Sequence, residues 1–218
     1  MCAVPVVRGG LAERPARGHL RPSPFALRPS PVIVRPARLA GVLVVEPHVF
    51  EDARGFFLER YHAARYAEAG IADRFVQDNH SRSVRGVLRG LHFQRRHPQG
   101  KLVEVLRGRV HDVVVDLRAG SPTFGEWETF ELAADPPRQL WVPPGFAHGF
   151  AVVSDGADVQ YKCTDVYRPD DEGGIVWDDD ALGIDWPRAA PLVSPKDRSL
   201  PRLRDLTPDQ LPQVRFDA

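Results

Sequence analysis

The chain has 218 residues, with 29 basic and 29 acidic side chains and a formal net charge of zero. This length predicts one sizeable domain, and the balanced charge argues against a nucleic-acid partner. No apolar run approaches the roughly 20 residues that cross a bilayer, so we expect no membrane partner. Two cysteines, Cys2 and Cys163, are too few for a disulfide framework and predict a reducing, cytoplasmic location.

Residues 1–40 form an N-terminal segment rich in arginine and proline. They hold seven arginines and one glutamate, a net charge of +6, whereas the rest of the chain carries −6. This composition is similar to that of an organelle transit peptide, but seven prolines argue against the amphipathic helix that such peptides use. We expect a disordered or loosely docked extension.

From Gly41 onward the pattern favours short β-strands separated by turns. The first candidates are Val42–Val45, Gly55–Tyr61 and Phe75–Ser83, with a helix candidate at Ala63–Ala69. After the segment Val84–Lys101, the run from Leu102 is typical of a hairpin with its turn near Arg107–Gly108. Further candidates are Trp127–Leu132, Gln139–Val142, Gly149–Val153 and Val159–Thr164. The spacing predicts an all-β sandwich or barrel, and an irregular tail from Asp178 is expected to wrap back over it.

The most informative segment is Val84–Lys101, VRGVLRGLHFQRRHPQGK. Alternating apolar and polar residues predict that His92 and Arg89 lie on a half-buried sheet face. An imidazole beside fixed cations suits a general base, although a structural histidine explains the same pattern. The Arg95–His97 run adds positive charge to which the sequence assigns no role.

Lysine usage marks further candidates. Of the 29 basic residues three are lysines, Lys101, Lys162 and Lys196, and each lies beside other candidate site residues. In a chain that otherwise uses arginine, a lysine indicates a site that needs a compact point charge.

Eight motifs in order connect these segments to a known family: FEDARGFFLERYH, FVQDNHS, VLRGLHFQ, QGKLV, DLRAGSPTFG, QLWVPPGFAHGF, YKCTDVYRPDDEGG and SPKD. Together they resemble the dTDP-4-dehydrorhamnose 3,5-epimerases over residues 41–200. The resemblance implies an all-β, cupin-type jelly-roll barrel with short peripheral helices and an irregular C-terminal tail, residues 201–218. It also implies a homodimer that needs no cofactor and no metal.

The resemblance assigns four residues to catalysis. Epimerisation beside a ketone removes an α-proton and returns one to the opposite face, which requires a base, an acid and a cation near the enolate oxygen. His92 matches the family's base and Asp197 its carboxylate partner. Tyr161 matches the proton donor, and Lys101 matches the cation near the C4 oxygen.

A second set matches family positions that bind the sugar nucleotide. Arg54 and Arg89 correspond to diphosphate ligands, since guanidinium groups bind phosphate bidentately. Tyr167 corresponds to an aromatic residue that stacks on thymine, although Val166 stands where many relatives have an aromatic residue. The remaining base, sugar and substrate contacts implied by the resemblance are Glu59, Gln77, Asn79, His148, Glu172 and Lys196.

The resemblance therefore predicts epimerisation of dTDP-4-dehydro-6-deoxy-D-glucose at C3 and C5 to dTDP-4-dehydro-L-rhamnose. An enzyme that inverts C3 or C5 alone, in secondary metabolism, uses the same residues and stays an alternative. A metal-dependent cupin would need an HxH pair followed by glutamate, whereas LHFQ and AHGF supply one histidine each. A non-catalytic binding module would be expected to have lost the base, the acid or Lys101.

Overall fold

The computed structural model describes residues 32–187 and 190–216. Thirteen strands are present in these residues: β1 (Ile33–Pro36), β2 (Leu43–Glu46), β3 (Val49–Asp52), β4 (Gly55–Leu58), β5 (Gln77–Val84), β6 (Leu88–Gln94), β7 (Lys101–Arg107), β8 (Arg109–Asp116), β9 (Trp127–Ala133), β10 (Gln139–Val142), β11 (Phe146–Val152), β12 (Gly156–Cys163) and β13 (Glu172–Gly174). Two short α-helices are α1 (Ala63–Glu68) and α2 (Pro195–Arg198), and 3₁₀ turns occur at Pro169–Asp171, Leu203–Asp205 and Pro208–Gln210.

The strands form two sheets and a separate hairpin. The larger sheet has the order β1-β2-β10-β7-β12-β5, the smaller one β13-β6-β11-β8-β9, and β3 pairs with β4 alone. Neighbouring strands are antiparallel throughout these sheets. The prediction of an all-β, cupin-type jelly roll with short peripheral helices is confirmed.

Alternation along the strands separates two apolar layers. On β8, Val110 and Val114 join the central core with Val103 and Val159 of the larger sheet. Val113 and Val115 belong to a second cluster, on the opposite face of β8. Since successive side chains point to opposite faces, one strand contributes to both layers, and the smaller sheet needs a cover on its outer side.

The C-terminal segment supplies that cover. Leu182, Ile184, Trp186, Leu203, Leu206 and Leu211 pack against the second cluster, and the segment contains short helical turns and isolated bridges rather than long elements. The irregular tail that wraps back over the body is therefore confirmed. No helix of the described residues is long and apolar enough to cross a membrane.

The hairpin predicted around Arg107–Gly108 is wrong. β7 pairs with β10 and β12, whereas β8 pairs with β11 and β9, so the turn carries the chain from one sheet to the other. Gly108 has φ +78°, and a Cβ at this position would lie 2.0 Å from the Gly156 carbonyl oxygen. The glycine therefore allows a tight crossing between the sheets rather than a two-residue hairpin.

The β-sheet domain includes residues before the expected boundary at residue 40. Ile33–Pro36 pairs with Leu43–Glu46 as an edge strand of the larger sheet, because Val34 packs beside Val45 and Tyr66 in an outer apolar cluster. The rest of the predicted extension, residues 1–31, lies outside the described residues.

Candidate active site

The candidate site is a cavity of about 640 Å³ lined by both sheets and by the C-terminal segment. Eleven of the thirteen site residues expected from the sequence line it: Gln77, Asn79, Arg89, His92, Lys101, His148, Tyr161, Tyr167, Glu172, Lys196 and Asp197. The fold thus brings together residues that are up to 120 positions apart in the chain.

His92 and Asp197 form a hydrogen-bonded pair at one wall of this cavity. The Nε2 atom of His92 donates to Asp197 Oδ1 at 2.8 Å, and Asp197 Oδ2 accepts from the Gly90 amide at 3.2 Å. Asp197 as a whole residue is 4% exposed. Burial raises the pKa of Asp197, but the bonds from His92 and Gly90 outweigh it, so the pKa lies below its ordinary value. A charged carboxylate on Nε2 leaves Nδ1 as the basic nitrogen of His92.

Asp197 reaches His92 because a short helix starts beside the sheet. Ser194 caps α2 by accepting the Asp197 amide at 3.0 Å, and the Pro195 that follows is favourable in the first helical turn. The pairing across 105 residues thus depends on the fold of the C-terminal segment.

Tyr161 and Lys101 come from the opposite wall, since β12 and β7 belong to the larger sheet and β6 belongs to the smaller one. Lys101 lies beside Cys163 in the register between β7 and β12. Burial raises the pKa of the Tyr161 phenol. Burial also lowers the pKa of the Lys101 ammonium, although Cys163, Glu172 and Asp112 oppose this shift.

His148 belongs to a second histidine–carboxylate pair, whose carboxylate the sequence analysis missed. His148 lies opposite His92 in the register of β11 and β6, and its Nε2 donates to Asp112 at 2.8 and 3.0 Å. Asp112 is fully buried. The available signal was an acidic residue inside the apolar strand VHDVVVD, because a buried charge needs a partner.

A cluster of hydrogen-bonded polar residues lies at the mouth of the cavity. The Tyr167 hydroxyl donates to Glu172 Oε2 at 2.7 Å, which raises the pKa of Tyr167 to about 12. The Lys196 ammonium donates to the same carboxylate oxygen. The Tyr167 amide donates to Gln77 Oε1 at 2.9 Å, and Gln77 Nε2 donates to Asn79 at 3.0 Å.

Arg89 is held at the side of the cavity, where its Nε donates to Ser83 at 3.0 Å. The remaining two expected residues, Arg54 and Glu59, do not line the cavity of their own chain. Arg54 lies at the tip of the β3–β4 hairpin and pairs with Asp52, and Glu59 pairs with Arg65 of α1.

The cavity has the groups that proton transfer at carbon requires. A histidine oriented by a buried carboxylate faces a phenol and an ammonium across a space large enough for a sugar nucleotide. Among residues 32–187 and 190–216 there is no group of three or more side chains that could hold a metal ion. The fold and the site define a jelly-roll enzyme with acid–base residues on facing walls.

Comparison with known proteins makes the class specific. The family model for dTDP-4-dehydrorhamnose 3,5-epimerase matches residues 36–205. A dTDP-4-dehydrorhamnose 3,5-epimerase from Pseudomonas aeruginosa is 57% identical over 159 residues, which are 72% of this chain and 88% of the relative. A dTDP-4-dehydrorhamnose 3-epimerase from Streptomyces niveus is 46% identical over 162 residues, 73% of this chain and 78% of the relative.

A solved structure agrees in fold over almost the same range. The dTDP-6-deoxy-D-glucose-3,5-epimerase from Legionella pneumophila, in complex with dTDP-4-keto-L-rhamnose, superposes with a TM-score of 0.82 at 49% identity and covers 86% of this chain and 100% of that one. The chain belongs to the dTDP-4-dehydrorhamnose 3,5-epimerase family and is an isomerase.

Proposed function

We propose that this enzyme epimerises C3 and C5 of dTDP-4-dehydro-6-deoxy-D-glucose to give dTDP-4-dehydro-L-rhamnose. The observation that carries the proposal is the pairing of His92 with Asp197 on one wall of the cavity and the position of Tyr161 on the other wall. A base and an acid on facing walls can remove a proton from one side of a carbon and return one to the other.

The proton moves from carbon to the His92 imidazole, which becomes an imidazolium beside Asp197. The carboxylate stabilises that cation and stays charged at neutral pH because the pKa of Asp197 is held below its ordinary value by the bond from His92, against the effect of burial. The Tyr161 phenol then donates a proton to the opposite face. Burial raises the pKa of Tyr161, so the phenol stays protonated until it transfers its proton to the carbon.

The electron pair released at carbon moves onto the C4 oxygen as an enolate. Lys101 supplies a positive charge at the same wall as Tyr161, and a charge held against the low-dielectric protein interior stabilises an anion more strongly than it would in bulk solvent. His148, held by Asp112, offers a second polar contact beside His92.

The nucleotide occupies the polar end of the cavity in this proposal. Arg89 is the diphosphate ligand, Gln77 and Asn79 contact base and sugar, and Tyr167 stacks on thymine. Glu172 and Lys196, which are bonded to each other and to Tyr167, close this end. The face of Tyr167 is available for stacking because the side chain is 46% exposed.

Arg54 and Glu59 can reach a bound nucleotide if a second copy of the chain supplies them, which is why we propose a homodimer. The β3–β4 hairpin exposes Phe56 at 66% and Phe57 at 48%, and large exposed apolar side chains indicate a contact surface. Light scattering is expected to give the mass of two chains, and the mass of one chain at micromolar concentration would contradict the dimer. The proposed location is the cytoplasm, which keeps a thiol such as Cys163 reduced.

Proton NMR of dTDP-4-dehydro-6-deoxy-D-glucose in D₂O tests the reaction. Deuterium is expected at C3 and at C5, together with a rhamno-configured product that a reductase can trap. Exchange at one carbon alone would assign the chain to the single-position epimerases, of which a Streptomyces niveus relative is named as one. No exchange at either carbon, with binding of dTDP retained, would favour a non-catalytic binding module.

A further inference from the structure

Asp171 is a buried carboxylate in the loop that carries Tyr167 and Glu172. It ends the 3₁₀ turn Pro169–Asp171, directly before β13, and is fully buried. Its side chain does not line the cavity. A buried carboxylate is costly unless it is neutralised and hydrogen-bonded, so its partners show what the loop is attached to.

Those partners are the Arg95–His97 run, to which the sequence assigned no role. Asp171 Oδ1 accepts the Arg96 amide at 3.0 Å and Arg96 Nε at 2.9 Å. Its Oδ2 accepts the His97 amide at 2.8 Å and His97 Nδ1 at 3.1 Å. The Asp171 carbonyl oxygen accepts the Arg95 amide at 3.0 Å. The carboxylate thus fastens the loop before β13 to the loop after β6.

Gln94 reinforces the same junction from the other side. It is 3% exposed, accepts the Arg168 amide at 2.6 Å and donates to the carbonyl oxygens of His97 and Val166 at 2.9 and 3.3 Å. Gln94 also faces Glu172 in the register between β6 and β13. The backbone on both sides of Tyr167 is therefore bonded to the end of strand β6, two residues after His92.

The charged form of Asp171 is the one that this junction stabilises. Burial raises the pKa of Asp171, but the bonds from Arg96 and His97 act against burial and hold the pKa far below its ordinary value. The hydrogen bonds that the Asp171 side chain accepts all come from N–H donors. An asparagine at this position would place an NH₂ group against some of these donors, and those hydrogen bonds would be lost.

We propose that Asp171 is a positioning residue that fixes the loop of Tyr167 and Glu172 in its binding conformation at the nucleotide end of the cavity. The inference rests on the proposed function, because it assigns the nucleotide to this end. If the loop is in its binding conformation in only a fraction of the molecules, the apparent Kd of the ligand rises in inverse proportion to that fraction. His92 is oriented by Asp197 and Tyr161 lies on β12, outside this loop, so a substrate that has bound should react at the normal rate.

The test compares Asp171→Asn with Asp170→Asn. Asp170 is the adjacent carboxylate, but its side chain is 81% exposed and meets Arg96 at 3.4 Å, so the control removes the same charge without opening the junction. For Asp171→Asn we expect the Kd of dTDP by calorimetry and the KM of the 4-keto sugar nucleotide to rise about ten- to thirtyfold, with kcat within about twofold. For Asp170→Asn all three constants should stay within about twofold of the wild type.

Hydrogen exchange supplies a direct measure of positioning. The backbone amides of residues 166–172 should exchange faster in Asp171→Asn than in Asp170→Asn, while those of β7 and β12 keep their protection. If Asp171→Asn does not fold, the double variant Arg96→Ala, His97→Ala replaces it, since it removes two side-chain donors and leaves the backbone donors. That variant should bind dTDP about threefold more weakly.

Each outcome decides between the proposals. A wild-type Kd for dTDP in Asp171→Asn, or in the double variant where it is used, overturns the positioning role. A fall in kcat with an unchanged Kd also overturns it, because the residue would then act on the chemistry. Failure of the wild-type protein to bind dTDP overturns the proposed function, and the assignment of Asp171 to nucleotide binding falls with it.

Discussion

At the residue scale, the two histidines of the cavity each donate to a carboxylate that solvent hardly reaches. Asp197 is 4% exposed and Asp112 is fully buried. A buried carboxylate that is paired with an imidazole fixes the orientation of the ring. His92 and His148 are therefore held in defined orientations before substrate arrives, and this preorganisation lowers the cost of proton transfer.

Replacing His92 by alanine separates chemistry from binding. We expect His92→Ala to abolish deuterium incorporation at C3 and C5, since it removes the group assigned as the base. The Kd of dTDP should stay within about threefold of the wild type, because His92 is not among the residues assigned to the nucleotide. NMR exchange and calorimetry measure the two effects, and residual exchange at the wild-type rate would show that another group is the base.

The burial of Lys101 predicts how the kcat depends on pH. Burial lowers its pKa, so the ammonium loses its proton at a lower pH than an ordinary lysine and the positive charge disappears as pH rises. The kcat should therefore fall on the alkaline side at a lower pH than the one at which an ordinary lysine titrates. In Lys101→Arg the charge persists, so this limb should move to higher pH even though the rate is lower. An unchanged limb would assign the titration to a different group.

The carboxylates Asp112 and Asp171 were the hardest part of the site to predict. Asp112 lies outside the eight motifs, and Asp171 lies in one of them without an assigned role. The partner of each carboxylate is in a different element. His92, Tyr161 and Lys101 could be proposed because the resemblance matched them one by one. A single sequence shows which side chains can titrate, whereas their partners depend on tertiary contacts.

At the element scale, two glycines allow β6 and β11 to approach each other beside the histidines. Gly90 has φ +116°, and a Cβ there would lie 2.6 Å from the Gly149 Cα and 2.8 Å from the His148 carbonyl oxygen. Both neighbours are backbone atoms, which cannot move aside as a flexible side chain would. The close approach of the two backbones at Gly90 and Gly149 therefore sets the distance between the strands that carry His92 and His148.

We expect Gly90→Ala to destabilise the fold and to displace His92. The strained φ and the backbone clash together should lower the free energy of unfolding by more than about 2 kcal/mol, measured by urea denaturation. Gly120→Ala is the matched control, because Gly120 also has a positive φ, +80°, but meets no atom within 4 Å. It should cost about 1 kcal/mol. Equal losses in the two variants would contradict the close approach.

The positions of most strands and of helix α1 could be predicted from the sequence, whereas the pairing of the strands was harder to predict. Alternating residues located most strands to within two or three positions, and the candidate helix Ala63–Ala69 agrees with the observed Ala63–Glu68. The Arg107–Gly108 turn was misread as a hairpin because a glycine turn between two β segments has the same local pattern whether the strands pair or separate. Strand β1 was missed because it lies in a segment whose composition favours disorder.

At the scale of the whole molecule, the proposed dimer requires each cavity to receive Arg54 from the other chain. Arg54→Ala alone should raise KM, and His92→Ala alone should be inactive. A mixed dimer of these two variants contains one cavity with its own His92 and the partner's Arg54, so co-expression should restore part of the wild-type rate at low substrate concentration. No restoration in an isolated mixed dimer would mean that Arg54 does not act across the interface.

The attachment of Asp197 to the C-terminal segment has a consequence for biosynthesis. Protein domains fold as they leave the ribosome, and a nascent chain that has emerged as far as β13 contains the strands of both sheets and His92, but not the carboxylate that completes the pair. Such an intermediate also lacks the cavity wall that the C-terminal segment supplies and the side chains that cover the smaller sheet. Activity therefore begins once the C-terminal segment has folded, and a product shortened before Asp197 would lack both the paired carboxylate and part of the cavity wall.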